Sequence, residues 1–286
     1  MAQLIVNGLT TGLILALPAL ALALSFSVLR FANYAIGSYV TVGAFVAWWA
    51  NVQLSLPFWT AALIGSGAVA AMAVIIDLLV YSRMRERSGL TLLVASMGVA
   101  IALENVVRLF AGNAPRSFDV PVARPFRLWG VRVHQEQLII LVTVLCALVI
   151  VWVLFRFTRL GRAMRAVADN APLAAVRGIA RGRVIAVVWA ISGGLAALAG
   201  VLIGIDTSIE PQMGWNYLLP IFTAAILGGI ASPMAAVAGA LVLGLAEEVS
   251  TLFLPPHYRM IVAFGIMAAL LMIRPWGLFG SRWVQR

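Results

Sequence analysis

The residues able to do chemistry in this chain are few, and their spacing excludes more than it permits. There is no lysine: all 20 basic residues are arginine. A phosphate-binding loop of the GxxxxGK[ST] type needs a lysine to reach the phosphates, so ATP-driven work by this protein would need a second polypeptide. His134 and His257 are far apart and lack the spacing of metal ligands. Cys146 stands alone in an apolar run, which leaves no internal disulfide and no cysteine-ligated metal cluster. Glu247 and Glu248 are adjacent. Neighbouring side chains on a helix diverge by about 100°, so these two do not face one substrate. We expect no catalytic residues, no metal and no cofactor bound by this chain, which is then not itself an enzyme.

The other ionisable groups sit near the ends of apolar runs. A charge inside such a run costs free energy and marks a functional position by default. Glu104 and Arg108 are four apart with the acid first, the favourable order for a helical ion pair. Asp77 is close in sequence to Arg83 and Arg85 and reads as paired or snorkelling. Asp206 and Glu210 fall where the sixth apolar run ends, as a wet loop or as a contact for a basic partner surface. The candidates for a solute path are uncharged: Asn33, Gly37, Ser38, Thr41 and Gly43 in one segment, Thr223, Gly228, Gly229 and Ser232 in another. Spans broken by Gly and Pro expose backbone dipoles at membrane depth; the same small residues also let helices pack closely. Both readings stand. A path with few fixed charges suits a small zwitterion with an aliphatic side chain.

The elements that must position these residues follow from composition. The chain has 286 residues, 63% hydrophobic and only 10% charged, and a mean hydropathy of +1.03. Soluble domains run at about 45–50% apolar and about 25% charged. Lipid is the solvent that suits such a surface, and the long Leu/Ala/Val runs without period-2 alternation specify helices. The expected fold is all-α, a polytopic transmembrane helical bundle forming one domain over 1–286. Apolar segments lie at about 3–28, 36–54, 58–80, 90–110, 137–157, 184–206, 218–230, 234–253 and 258–273. The short 218–230 segment joins the next through Gly228, Gly229, Ser232 and Pro233 as a broken or re-entrant pair, giving eight or nine membrane segments. The net charge of +10 is explained by topology, with no nucleic-acid partner. Arg30, Arg83, Arg85, Arg87, the arginines of 156–183, and Arg274, Arg282 and Arg286 mark the cytoplasmic side. The N-terminus is then periplasmic and the C-terminus cytoplasmic. The loop at 111–136, with Pro115, Pro121, Pro125, Arg116, Arg124, Arg127 and Arg132, is outside and has room for a short hairpin.

The cytoplasmic loop at 158–183 carries the sharpest pattern. Asp169 and Asn170 are good N-caps, Pro172 suits a first helical turn and Gly178 suits a C-cap. These predict a short helix at about 171–177, led into by an Arg-studded stretch from Gly161. It reads either as a plain interfacial helix or as a docking element for a cytoplasmic partner.

At this point the chain resembles a known family. Gly161, Arg165, Ala166, Asn170, Ala174 and Gly178 have the spacing of the coupling loop in branched-chain amino-acid permeases of ATP-binding-cassette importers. Three further stretches agree in order: Leu29-Arg30-Phe31-x-Asn33-x-Ala35-x-Gly37; Pro211-x-Met213-Gly214 followed by Leu227-Gly228-Gly229-Ile230-x-Ser232; and Arg274-Pro275-x-Gly277-Leu278-Phe279-Gly280. Ile36 stands where the family commonly has His, and Ala21 and Ala23 where it is richer in Gly. The resemblance implies a bacterial inner-membrane permease coupled through Gly161 to Gly178, Asp169 included. It also implies two cytoplasmic ATP-binding subunits that use ATP, a second related permease or second copy, and a periplasmic binding protein. A stand-alone transporter or channel for a small uncharged or zwitterionic solute is the alternative.

Overall fold

A computed structural model describes residues 1–85, 87–120, 126–128, 131–253, 255, 258–274 and 276–279. The elements in order are α1 (Ala2–Leu29), α2 (Ala35–Trp48), α3 (Phe58–Ile76), the single turn α4 (Ser82–Met84), α5 (Gly89–Ala111), β1 (Phe126–Leu128), β2 (Val131–Val133), α6 (Gln135–Phe157), α7 (Arg159–Asp169), α8 (Ala171–Val176), α9 (Arg181–Asp206), α10 (Met213–Gly228), α11 (Pro233–Ser250) and α12 (Arg259–Ile273). Pro121, Arg124, Pro125, His257, Pro275, Gly280, Arg282 and Arg286 lie outside the described residues. Among the described residues, seven helices are long and apolar enough to cross a membrane, and Met213–Gly228 and Ile261–Ile273 are shorter apolar helices. The fold is a polytopic helical bundle.

Where each helix sits follows from its pattern. α1 is buried on every side from Leu13 to Ser25; a helix apolar all round belongs in the centre of a bundle. α5 buries only Leu92, Ser96, Ala100 and Val107, and α6 only Ile140, Val144, Ala147 and Val151. Those are single stripes at helical spacing. Their other faces expose Leu109, Phe110, Leu141, Val142, Leu145, Val149 and Ile150, surface for lipid. The central helices approach through glycine. Gly8 and Gly12 of α1 face Gly244, Leu245 and Leu241 of α11. Gly43 of α2 meets Ala197 of α9, and Gly228 of α10 meets Ala235 of α11.

The broken pair is longer than its apolar run suggests. α10 starts at Met213, not near 218, because Gly214 packs on Gly37 and its amide donates to Thr41 Oγ1 at 2.9 Å. A hydroxyl from α2 thus caps a helix that begins inside the bundle. Its 16 residues span about 24 Å at about 1.5 Å per residue, short of the roughly 30 Å hydrocarbon core. The turn after it holds Gly229 at φ 126°. The C-terminal stretch returns to cover it: the Leu278 amide donates to Leu227 O at 2.8 Å and Phe279 to Gly228 O at 3.1 Å.

The bundle has two ends. At one, β1 and β2 form the antiparallel hairpin, tied to α1 by Gln3, which donates to Arg132 O (3.1 Å) and accepts from Arg132 N (3.0 Å). Asn7 donates there to buried Glu248 (3.2 Å), so Glu248 serves the interface of α1 and α11. Glu104 and Arg108 pair at 2.6 Å as their spacing requires. At the other end, α3 runs into a π-helical segment, Asp77–Tyr81, which buries both Asp77 and Tyr81. Asp77 pairs with Arg85, and Tyr81 stacks on Trp189 at 4.9 Å with Phe31 alongside. Asp77→Ala takes from Arg85 its carboxylate partner. Breaking a buried pair costs about 3–5 kcal/mol, so the unfolding midpoint in detergent should fall sharply; an unchanged midpoint would show that the pair carries no stability.

Candidate coupling loop and solute groove

The two connecting helices α7 and α8 form one compact element. α7 starts at Thr158, whose Oγ1 accepts from Gly161 N at 3.1 Å. It buries Gly161, Met164 and Val167 at every third residue and leaves its arginines outside. Glycine at 161 is a steric requirement: a Cβ there would lie 2.4 Å from Phe155 O and 2.5 Å from Leu154 O. The Arg165 guanidinium reaches back to the Phe155 carbonyl at the end of α6. Asn170 then does two jobs. Its amide donates to Ala166 O, closing α7, and its Oδ1 accepts from Leu173 N at 3.0 Å, opening α8. Asp169, also expected to cap, is instead the exposed last residue of α7. Pro172 sits in the first turn of α8. Gly178 takes φ 80°, a left-handed value open to glycine at little cost. Its amide donates to Ala175 O (2.9 Å) and that of Ile179 to Ala174 O (3.0 Å), closing the helix.

Three features of this element have weak sequence signals. Ala174 is buried, whereas Leu173 is 57% and Val176 85% exposed. α8 therefore presents apolar side chains to the outside, which the i, i+3 spacing of Leu173 and Val176 allows. Thr158 is a cap that Thr followed by helix formers hints at. Arg30 takes φ 60° at the break between α1 and α2, and its Nη2 donates to Ala168 O at 2.8 Å, a contact that only the folded chain creates.

Most of the uncharged path candidates are buried where α2 and α10 meet their neighbours. Asn33 is fully buried; its Oδ1 accepts from Ala35 N (3.1 Å), and its Nδ2 has no partner among the described residues. Ser38 Oγ donates to Ala100 O on α5 (2.9 Å), and Thr223 Oγ1 contacts Met267 Sδ on α12 (3.6 Å). Gly37, Thr41, Gly43 and Gly228 sit at helix crossings and Gly229 in the turn. Beside them is a groove of about 340 Å³ lined by Tyr34, Trp215, Leu218, Leu219, Phe222 and Met267. The Tyr34 and Phe222 rings pack on each other in its wall, centroids 5.0 Å apart; they are the chain neighbours of Asn33 and Thr223. Ser232 stands elsewhere, in a cavity of about 370 Å³ that it shares with Ser27, Arg156, Arg165 and Asp169.

Residues 4–271 match the family described as "Branched-chain amino acid transport system / permease component". The chain belongs to this family. Among its relatives is the high-affinity branched-chain amino acid transport system permease protein LivH of Escherichia coli strain K12, 31% identical over 99% of this chain and 97% of that one. The corresponding protein BraD of Pseudomonas aeruginosa is 30% identical over the same shares. The ribose import permease RbsC of Bacillus subtilis is 36% identical over 31% of this chain and 28% of its own length. The solved structure of PsaBC from Streptococcus pneumoniae in complex with Fab covers 94% of this chain and 91% of that chain, with a TM-score of 0.53 at 13% identity, and has the same fold. This branched-chain amino-acid permease component is thus a multi-pass membrane transport subunit, whose relatives are likewise permeases.

Proposed function

We propose that this chain is the permease subunit of an ATP-binding-cassette importer for branched-chain or related small amino acids. The observation that carries the coupling role is the α7–α8 element. It is closed by Asn170 and Gly178, anchored to α6 by Gly161 and Arg165, and exposes Leu173 and Val176. In this reading two cytoplasmic ATP-binding subunits dock on α8 and hydrolyse the ATP, since the chain itself has no lysine for a phosphate loop. A second related permease, or a second copy, completes the path, and a periplasmic binding protein delivers the solute to the hairpin end. The N-terminus is periplasmic and the C-terminus cytoplasmic, the inside being the side to which the arginine-rich loops are assigned.

The Arg30 bond gives the docking element a route inward. Displacement of α7 pulls on the break at 30–34, where Phe31 packs on Tyr81 and Trp189 and Tyr34 faces Phe222. The groove is apolar, which suits an aliphatic side chain and leaves selectivity mainly to the binding protein. Reconstitution of the chain with its partner subunits and binding protein in liposomes should give leucine uptake that requires ATP. Uptake by this chain alone, driven by a solute or ion gradient, would replace this reading with a secondary transporter.

A further inference from the structure

A second cavity lies at the α7–α8 end of the bundle, built from residues that neither the coupling loop nor the groove uses. It measures about 700 Å³ and is lined by Ser82, Arg83, Arg85, Arg87, Arg181 and Gly182. Two separate stretches of chain converge on it, the turn between α3 and α5 and the start of α9. Four guanidinium groups share one concavity. Asp77 offsets one of them through its pair with Arg85, and Glu86, the acid of the same loop, can offset at most one more. At least two positive charges are left over. Arg83, Arg87 and Arg181 have no carboxylate partner among the described residues. Arg85 keeps a buried Nε–H with no acceptor among the described residues. An orphaned buried donor costs free energy, and this one sits beside further cations, an arrangement that suits an acceptor-rich anion. Arginine is suited to phosphate oxygens.

The surroundings say which kind of phosphate. Leu78 and Leu79 lie about one helical turn before Ser82, and Leu90 and Val94 follow Arg87; all four apolar side chains are exposed. The cavity thus lies where α3 leaves the apolar layer and α5 re-enters it, with an apolar seam running away from it along both helices. A headgroup in the cavity would have its acyl chains laid on that seam. Basic pockets between membrane helices recognise anionic lipid headgroups in this way.

We propose that this cavity is a binding site for the phosphate headgroup of an anionic glycerophospholipid. The assignment does not depend on what the protein transports, and its test requires no uptake. The full complex, purified in detergent and stripped of lipid, is offered phosphatidylglycerol or phosphatidylcholine, and bound lipid is counted by native mass spectrometry. Phosphatidylglycerol should be retained at least about tenfold over phosphatidylcholine, on the order of fivefold per engaged arginine. The combined variant Arg83→Gln, Arg87→Gln, Arg181→Gln should lose that preference, and lysine at the same three positions should keep most of it. Should the triple variant fail to fold, Arg87→Gln alone, in an exposed turn, should lose about fivefold. A preference that survives glutamine substitution overturns the site. So does displacement of phosphatidylglycerol by inorganic phosphate, which would make it a small-anion site. A glutamine variant that keeps the lipid but sheds a cytoplasmic subunit overturns it in favour of a protein-docking surface.

Discussion

Replacing Gly178 by proline should reduce ATP-dependent uptake by at least about tenfold while the chain still inserts into the membrane. Gly178 holds φ 80°, whereas proline fixes φ near −65°. The substitution also deletes the amide that donates to Ala175 O, and it disfavours the near-helical conformation of Arg177 that closes α8. The last turn of a six-residue helix cannot absorb these changes, so Leu173 and Val176 lose their fixed presentation. A loss of only about 1.4 kcal/mol in docking is already tenfold. Gly178→Ala is the control. No described atom lies within 4 Å of the position where its Cβ would stand, so the cost is the left-handed backbone alone, about 1–2 kcal/mol of local strain; the amide bond to Ala175 O is kept, and uptake should fall less than with proline. Arg165→Glu should act in the same direction as the proline. It removes the donor to Phe155 O and sets an acid against the carbonyl end of α6, where negative charge is disfavoured. Uptake unchanged in both Gly178→Pro and Arg165→Glu would end the docking role of this element.

The contrast between what sequence showed and what it concealed is physical. The α8 helix was legible because its signals are local: Asn170, Pro172 and Gly178 act on amides three or four residues away. The helices themselves were legible because lipid demands long apolar runs. The true start of α10 was concealed, since Gly214 is fixed by Gly37 and Thr41, 173 residues away in sequence for the hydrogen bond. The Arg-studded stretch from Gly161 is a complete helix, α7; its small buried face of Gly161, Met164 and Val167 is too narrow for a bulk apolar pattern to reveal. The π-helical turn at Asp77–Tyr81 answers to the ion pair and the aromatic stack around it, which no local propensity encodes. The path candidates were ambiguous in sequence for a reason the fold makes plain. Small residues that would open a path are the same ones that let α2, α9, α10 and α11 touch, and Asn33 and Thr223 are the chain neighbours of the groove-lining Tyr34 and Phe222.

The crossing of α2 and α9 leaves no room for even one added carbon. A Cβ at Gly200 would stand 1.9 Å from Val40 O and 2.8 Å from Val40 C. Both are backbone atoms, so no rotamer change can yield the space. Relief requires the helices to separate by more than an ångström, and at the same crossing the Cβ of Ala197 already lies 2.4 Å from where a Gly43 Cβ would stand. Overpacking a close-packed interior costs about 1–3 kcal/mol and more where relaxation is blocked. Gly200→Ala should therefore lower the unfolding midpoint in detergent more than most core substitutions, and Gly200→Leu should prevent recovery of a monodisperse protein. Gly67→Ala and Gly98→Ala supply the comparison: both sites are helical, and nothing lies within 4 Å of a Cβ at either. There alanine should leave the midpoint unchanged or raise it, because glycine in a helix costs about 0.5–1 kcal/mol relative to alanine. If Gly200→Ala unfolds at the wild-type temperature, α2 and α9 slide past each other freely. The break at 30–34 would then have no fixed helix to push against, and the route from Arg30 to Tyr34 would fail as a lever.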